Sequence, residues 1–191
     1  MTETALRHAP LRQTGSALVR PPDRRLSPAQ LLALVDEVVA TESRWTHLVA
    51  HDADDRSTLR LIANELYEVW LLGWTPGQRV ELHDHGPSHA ALRVVEGTLT
   101  ELEPGGRGLR RRTLATGSRR TVASGTVHDV LNASCTAATS IHAYSPPLSS
   151  MTFYDATATR PLRSERVEPA APVLHAVPRW WPETVRSLAR R

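Results

Sequence analysis

The chain has 191 residues, 40% of them hydrophobic, with a formal net charge of +3. This length and composition fit one globular domain with a sizeable core and short extensions, and exclude a disordered chain. All 23 basic residues are arginine, so the basic character reflects arginine usage more than a large charge excess. No apolar run approaches the roughly 20 residues that span a bilayer, and residues 1–20 lack the apolar core of a signal peptide. A single cysteine, Cys135, excludes an internal disulfide framework and is expected as a small buried residue. A cytoplasmic protein, without a membrane partner and monomeric, is the expectation. Arg110, Arg111 and Arg112, with Arg119 and Arg120 nearby, form a basic cluster with no interleaved aromatic residues, so no nucleic-acid partner is expected.

Residues 1–25, rich in arginine, proline and small polar residues, read as a loose arm. A helical segment over 26–50 opens with Ser27 as N-cap, Pro28 at the first helical position and Gln30 completing a capping box. Leu26 and Leu31 are spaced as a hydrophobic staple. Leu31, Leu34, Val35 and Val38 recur at helical spacing and give one apolar face. From 51 to 158 the pattern changes to short strands. These are expected at 58–62, 67–74, 79–83, 90–95, 97–103, 110–114, 119–123, 128–132, 139–144 and 151–155, with turn chemistry at Glu96-Gly97 and Pro104-Gly105-Gly106. Such spacing predicts an all-β sandwich or barrel, with the helix packed outside. Residues 159–191 read as a proline- and arginine-rich tail, with a short helix over 182–190 and Trp180 and Trp181 anchoring it.

Two stretches carry chemistry. In the first, Gly77 leads to His83-Asp84-His85 and closes at Gly97. Alternate strand residues share a face, so both imidazoles aim at one spot. In the second, Gly117, Gly125, His128 and Asn132 supply one more imidazole beside turn glycines. Three convergent imidazoles suit a first-row divalent metal and leave coordination positions open. The spacing in both stretches resembles the two motifs of the cupin superfamily, with Ala90 at the glutamate position and Ala123 at the proline position. That resemblance implies a single cupin β-barrel with metal ligands His83, His85 and His128.

Further on, Ser140-Ile141-His142-Ala143-Tyr144 alternates polar with apolar residues, so the three polar side chains share one face of a strand. A hydroxyl, an imidazole and a phenol in a row can form a relay that orients the phenol. The alternation alone fits a solvent-facing strand equally well. Together with His-Asp-His, Ser88-His89, His128 and Asn132, the run Ser140 to Pro147 resembles the cysteine dioxygenase family of thiol dioxygenases over about residues 60–155. The resemblance implies Fe(II) on the three histidines, a catalytic triad of Ser140, His142 and Tyr144, and a cis bond between Ser145 and Pro146. It implies a small-molecule thiol and O2 as partners, with L-cysteine oxidised to cysteine sulfinate.

Two positions bear on that reading. Mammalian members carry at Ala90 a cysteine cross-linked to the tyrosine, so Tyr144 is expected to stay unmodified, as in bacterial members. An arginine on an early strand binds the substrate carboxylate in cysteine dioxygenases, where relatives acting on 3-mercaptopropionate have glutamine. Arg60 is the expected residue here, with Tyr144 also touching substrate. The alternatives are a dioxygenase of 3-mercaptopropionate or another small thiol, a metal-binding cupin without turnover, and an isomerase or sugar-modifying cupin.

Overall fold

The structure, a computed structural model, describes residues 25–106, 108–167 and 183. Almost all of the expected arm, most of the tail with its two tryptophans, and the expected terminal helix therefore lie outside the described residues. Helix α1 spans Pro28–Ala40, and its first turn is closed as the sequence indicates. Ser27 Oγ accepts from the Gln30 backbone N–H, and the Gln30 side chain accepts from the Ser27 N–H. Such a cap contributes about 0.5–2 kcal/mol. Two 3-10 turns, Glu42–Arg44 and Thr46–Leu48, carry the chain from the helix to the barrel.

Eleven strands follow: β1 Thr58–Ala63, β2 Glu68–Trp74, β3 Arg79–Asp84, β4 His89–Glu96, β5 Thr98–Gly105, β6 Gly108–Ala115, β7 Arg119–Val122, β8 His128–Leu131, β9 Ala138–Ser145, β10 Ser150–Tyr154 and β11 Pro161–Arg166. They form two antiparallel sheets, ordered β1-β2-β9-β4-β7 and β11-β10-β3-β8-β5-β6. This is the expected cupin barrel with its helix outside. Strand β11 is the one that the expected list omits. It starts at a proline and all six of its residues are exposed, so it shows none of the apolar alternation that marks a half-buried strand.

Apolar burial has two layers. Leu72, Leu92 and Val94 from one sheet meet Leu99, Leu114 and Val130 from the other to close one side of the barrel. On the outer face of the first sheet, Leu31, Leu34, Val35 and Val38 of α1 cover Ile141 and Ala143 of β9. Strand β9 is therefore buried along its whole length on both faces. Its polar residues turn inward because helix α1 occupies the other side.

Two glycines are dictated by close approach. Gly97, at φ 73°, turns β4 into β5, and a Cβ there would lie 2.4 Å from the Ala137 carbonyl oxygen. At Gly73 a Cβ would lie 1.9 Å from the Ala50 carbonyl oxygen, so only glycine lets the 50–57 segment lie against β2. Gln78 Nε2 fastens that segment through the Asp52 carbonyl at 2.8 Å, and His51 Nε2 reaches Thr139 Oγ1 at 3.1 Å. Asn132 ties the two motif stretches together, its carbonyl accepting from the Gly77 N–H and its N–H donating to the Gln78 carbonyl, while its side chain donates to the carbonyls of Trp74 and Thr136. Cys135 is exposed, contrary to expectation. It sits in the polar turn between β8 and β9, where Asn132 and Ser134 supply the hydrogen bonds and no core surrounds it.

Candidate metal centre

Strand pairing brings the three histidines together. His83 on β3 stands opposite His128 on β8 and Phe153 on β10. A register shift between Val80 and His83 marks an irregularity in the pairing. His85 follows the end of β3. All three are buried, and one ligand nitrogen from each lies within 4.8 Å of the others. The Nε2 atoms of His83 and His85 are 3.1 Å apart, and those of His85 and His128 are 3.5 Å apart.

Protonation follows from the partners behind the rings. His83 Nδ1 lies 2.7 Å from the Glu81 carbonyl oxygen, which can only accept, so that nitrogen carries the proton. Burial, and then the neighbouring His128, push the His83 imidazole down to about 3. His85 is likewise held well below its ordinary value, by burial and then by His128 and His83. Three imidazole nitrogens, one from each ring, thus converge on one buried point. The donor set fits a first-row divalent ion.

His128 is held from behind by a side chain that the sequence reading passed over. Its Nδ1 lies 3.0 Å from Oε1 of Glu101, which is fully buried on β5. Burial pushes the Glu101 carboxyl up, but hydrogen bonds and charge from His128 and Arg120 outweigh it and hold it below its ordinary value. A signal for Glu101 was available: it shares strand parity with Leu99, so it had to face inward.

The expected triad is assembled on the cavity side of β9. Ser140 Oγ lies 2.9 Å from His142 Nε2, and His142 Nδ1 lies 3.3 Å from the Tyr144 hydroxyl. A fourth member was not anticipated in this role: Trp74 Nε1–H donates to Ser140 Oγ at 2.9 Å. Ser140 Oγ thus has two partners, Trp74 and His142, and a hydroxyl can accept twice and donate once. Burial, followed by the charge on Arg56, pushes His142 down to about 3, so the ring is neutral and carries one proton. With that proton on Nδ1 it would be donated to the Tyr144 oxygen, which would leave the phenol proton for the cavity. Burial pushes the Tyr144 phenol pKa up, keeping it protonated. Its ring meets His85 edge-on, with centroids 5.1 Å apart. Ala90 pairs with Tyr144 across β4 and β9 and packs against it, offering a methyl group and no thiol. The bond between Ser145 and Pro146 is cis.

The three histidines, Trp74, His142 and Tyr144 line a cavity of about 200 Å³, closed on its apolar sides by residues including Trp70, Leu72, Val80, Val130 and Leu148. Arg60 is not among the described lining residues, so its expected carboxylate-binding role gains no support from this geometry. Its Nη2 is ion-paired with the buried Glu68 Oε2 at 2.8 Å, and its guanidinium lies 5.8 Å from the Trp70 ring centroid. Glu68 captures it because that carboxylate is buried beside β1 and needs a counter-charge. The arginine that does line the cavity is Arg56, in the segment before β1. Its guanidinium stacks over Trp74 at 4.8 Å, and its buried Nε has no hydrogen-bond partner among the described residues. Burial lowers its pKa, with Tyr144 and Asp55 opposing the shift. Nothing in the sequence singles out Arg56, which follows a run of polar loop residues.

The basic cluster on β6 and β7 is paired at several points: Arg110, Arg112 and Arg120 bridge to Glu101 or Glu103, and Arg119 to Asp36 on α1. No described helix is long and apolar enough to cross a membrane.

The family model for cysteine dioxygenase type I matches residues 25–157. Among solved structures, the chain is similar to the TT1209 protein of Thermus thermophilus, with 20% identity, a TM-score of 0.49, and coverage of 53% of this chain and 93% of that one. A protein with a double-stranded β-helix domain from Klebsiella pneumoniae subsp. pneumoniae is 15% identical, with a TM-score of 0.48 and coverage of 65% and 94%. An RmlC-like cupin protein from Desulfovibrio desulfuricans is 18% identical, with a TM-score of 0.45 and coverage of 52% and 90%.

Proposed function

We propose a thiol dioxygenase activity for this chain, which belongs to the cysteine dioxygenase type I family. The substrate is a small thiol carboxylate, L-cysteine first, converted by O2 to its sulfinic acid. The balance closes without a co-reductant: the S–H and O–O bonds give way to two S–O bonds and one O–H bond, and sulfur supplies every electron that dioxygen accepts. Fe(II) held by His83, His85 and His128 would supply thiolate binding and dioxygen activation.

The chain's own residues account for the rest. Arg56 fixes the substrate carboxylate by a charge-assisted pair, its buried Nε providing a donor still in need of an acceptor. Tyr144 donates its proton into the cavity, and Trp74, Ser140 and His142 hold that proton in place. Leu72, Val80 and Val130 keep water out, which strengthens each of these contacts. The observation that carries the proposal is the meeting, in one cavity of about 200 Å³, of three imidazoles, a phenol and a guanidinium.

One observation favours a second substrate. Among the described residues that line the cavity there is no carboxylate, so a substrate ammonium finds no counter-charge among them. 3-Mercaptopropionate, which has the thiol and carboxylate but no amine, fits the same contacts. Oxygen uptake by anaerobically iron-loaded protein separates the readings, comparing L-cysteine, 3-mercaptopropionate and cysteamine with the products identified by mass. Uptake with the two carboxylates and little with cysteamine supports the proposal. No uptake with any thiol by iron-loaded protein would overturn it.

A further inference from the structure

The ligand set lacks an anionic member: Ala90 occupies the position where many cupins place a glutamate. Near the three imidazoles, Glu101 is a fully buried carboxylate, and it touches the metal site only through His128. One oxygen, Oε1, lies 3.0 Å from His128 Nδ1, and the other, Oε2, accepts from Arg120 Nε at 2.7 Å. Arg120 also bridges to Glu103, which Arg110 holds in turn at 2.6 Å. The carboxylate is thus clamped in one orientation by a chain of ions leading to the surface.

A charged acceptor held this way behind an imidazole has two consequences. It keeps the proton on Nδ1, so Nε2 always presents its lone pair, and it makes that lone pair a stronger donor. His83 gets only the weaker version of this support, from a backbone carbonyl, and His85 Nδ1 is buried without a partner among the described residues. The three ligands are therefore unequal.

We infer that Glu101 is a positioning residue that supplies, through His128, the negative charge missing from the ligand set, making His128 the dominant ligand for metal capture. Glu101 touches neither substrate nor metal. The inference rests on the three-histidine metal site of the proposed function.

The test is metal affinity of the full-length apo protein for Co(II) alone, measured by competition with a chromophoric chelator, together with nitrogen NMR of the His128 ring. Glu101→Gln keeps an acceptor and the side-chain shape, and should weaken Co(II) binding about 10-fold; Glu101→Ala should approach 100-fold. In the wild-type apo protein the His128 ring should be a single tautomer protonated at Nδ1, and in Glu101→Ala it should become mixed. Glu103→Gln disturbs the same ion network without touching His128, and should leave Co(II) affinity within about twofold, which a purely structural role for the network would not allow. If wild-type binds Co(II) and folded Glu101→Gln binds it equally well, or if wild-type His128 is protonated at Nε2, the inference fails and the metal site stands. If wild-type takes up no metal, the metal site fails and the inference with it.

Discussion

Replacing Arg56 by alanine should raise KM for L-cysteine by about 10- to 150-fold, because the lost interaction is a charged pair worth about 1.5–3 kcal/mol at about 1.4 kcal/mol per tenfold. The size follows from the setting. The guanidinium is stacked on Trp74 at 4.8 Å, and its Nε is buried with no partner among the described residues, so little local bonding is lost when it is removed. Turnover at saturating substrate should change far less, since Trp74, Ser140, His142 and Tyr144 keep their own bonds. Steady-state oxygen uptake gives both constants, and cysteamine, which has no carboxylate, serves as control and should lose nothing. Arg60→Ala should behave in the opposite way. It strands the buried Glu68 carboxylate, a loss of about 3–5 kcal/mol, and should show as a lowered Tm with a nearly unchanged KM. An unchanged KM in Arg56→Ala, or a raised KM in a stable Arg60→Ala, would refute the assignment of the carboxylate clamp.

Tyr144→Phe removes the donated proton and keeps the ring against His85, so turnover should fall by about 100-fold or more with metal content unchanged; near-normal turnover would remove the phenol from the chemistry. Gly73→Ala forces a methyl group into the Ala50 carbonyl and must displace the segment that carries Arg56. It should cost about 1–3 kcal/mol of stability and raise KM, whereas a stability loss with KM unmoved would show that the segment does not position Arg56. The apo protein should lose stability as pH falls from about 6.5 toward about 3, because His83 and His142 stay neutral in the fold over that range while the unfolded chain takes up their protons. Each buried ring adds up to about 1.4 kcal/mol per pH unit to the slope. Denaturant midpoints at several pH values measure this, and a flat profile from neutral to about pH 5 contradicts the neutral rings.

How far the sequence was legible depends on the range of each interaction. The helix was readable because its cap is local, with Ser27 and Gln30 three residues apart. The strands were readable where one face is buried and turn residues bracket them, and β11 was not, having no buried face at all. In the site, His83 and His85 announce themselves by alternation, and Ser140, His142 and Tyr144 do the same on β9. The solvent-facing alternative for β9 fails for a reason outside the strand itself: helix α1 covers its other side. Glu101, Trp74 and Arg56 act across long gaps. Glu101 meets a histidine 27 residues away, and Trp74 a serine 66 residues away. Choosing between Arg56 and Arg60 requires knowing that Glu68 holds the second, which depends on how β1 and β2 pair.

The fate of both oxygen atoms tests the proposed activity most directly. Iron-loaded protein turning over L-cysteine or 3-mercaptopropionate under isotopically heavy O2 should form a sulfinic acid carrying two heavy oxygen atoms, with one thiol consumed per O2. A product with one heavy oxygen or none, or a disulfide formed while dioxygen is reduced to peroxide or water, would contradict a dioxygenase at this site.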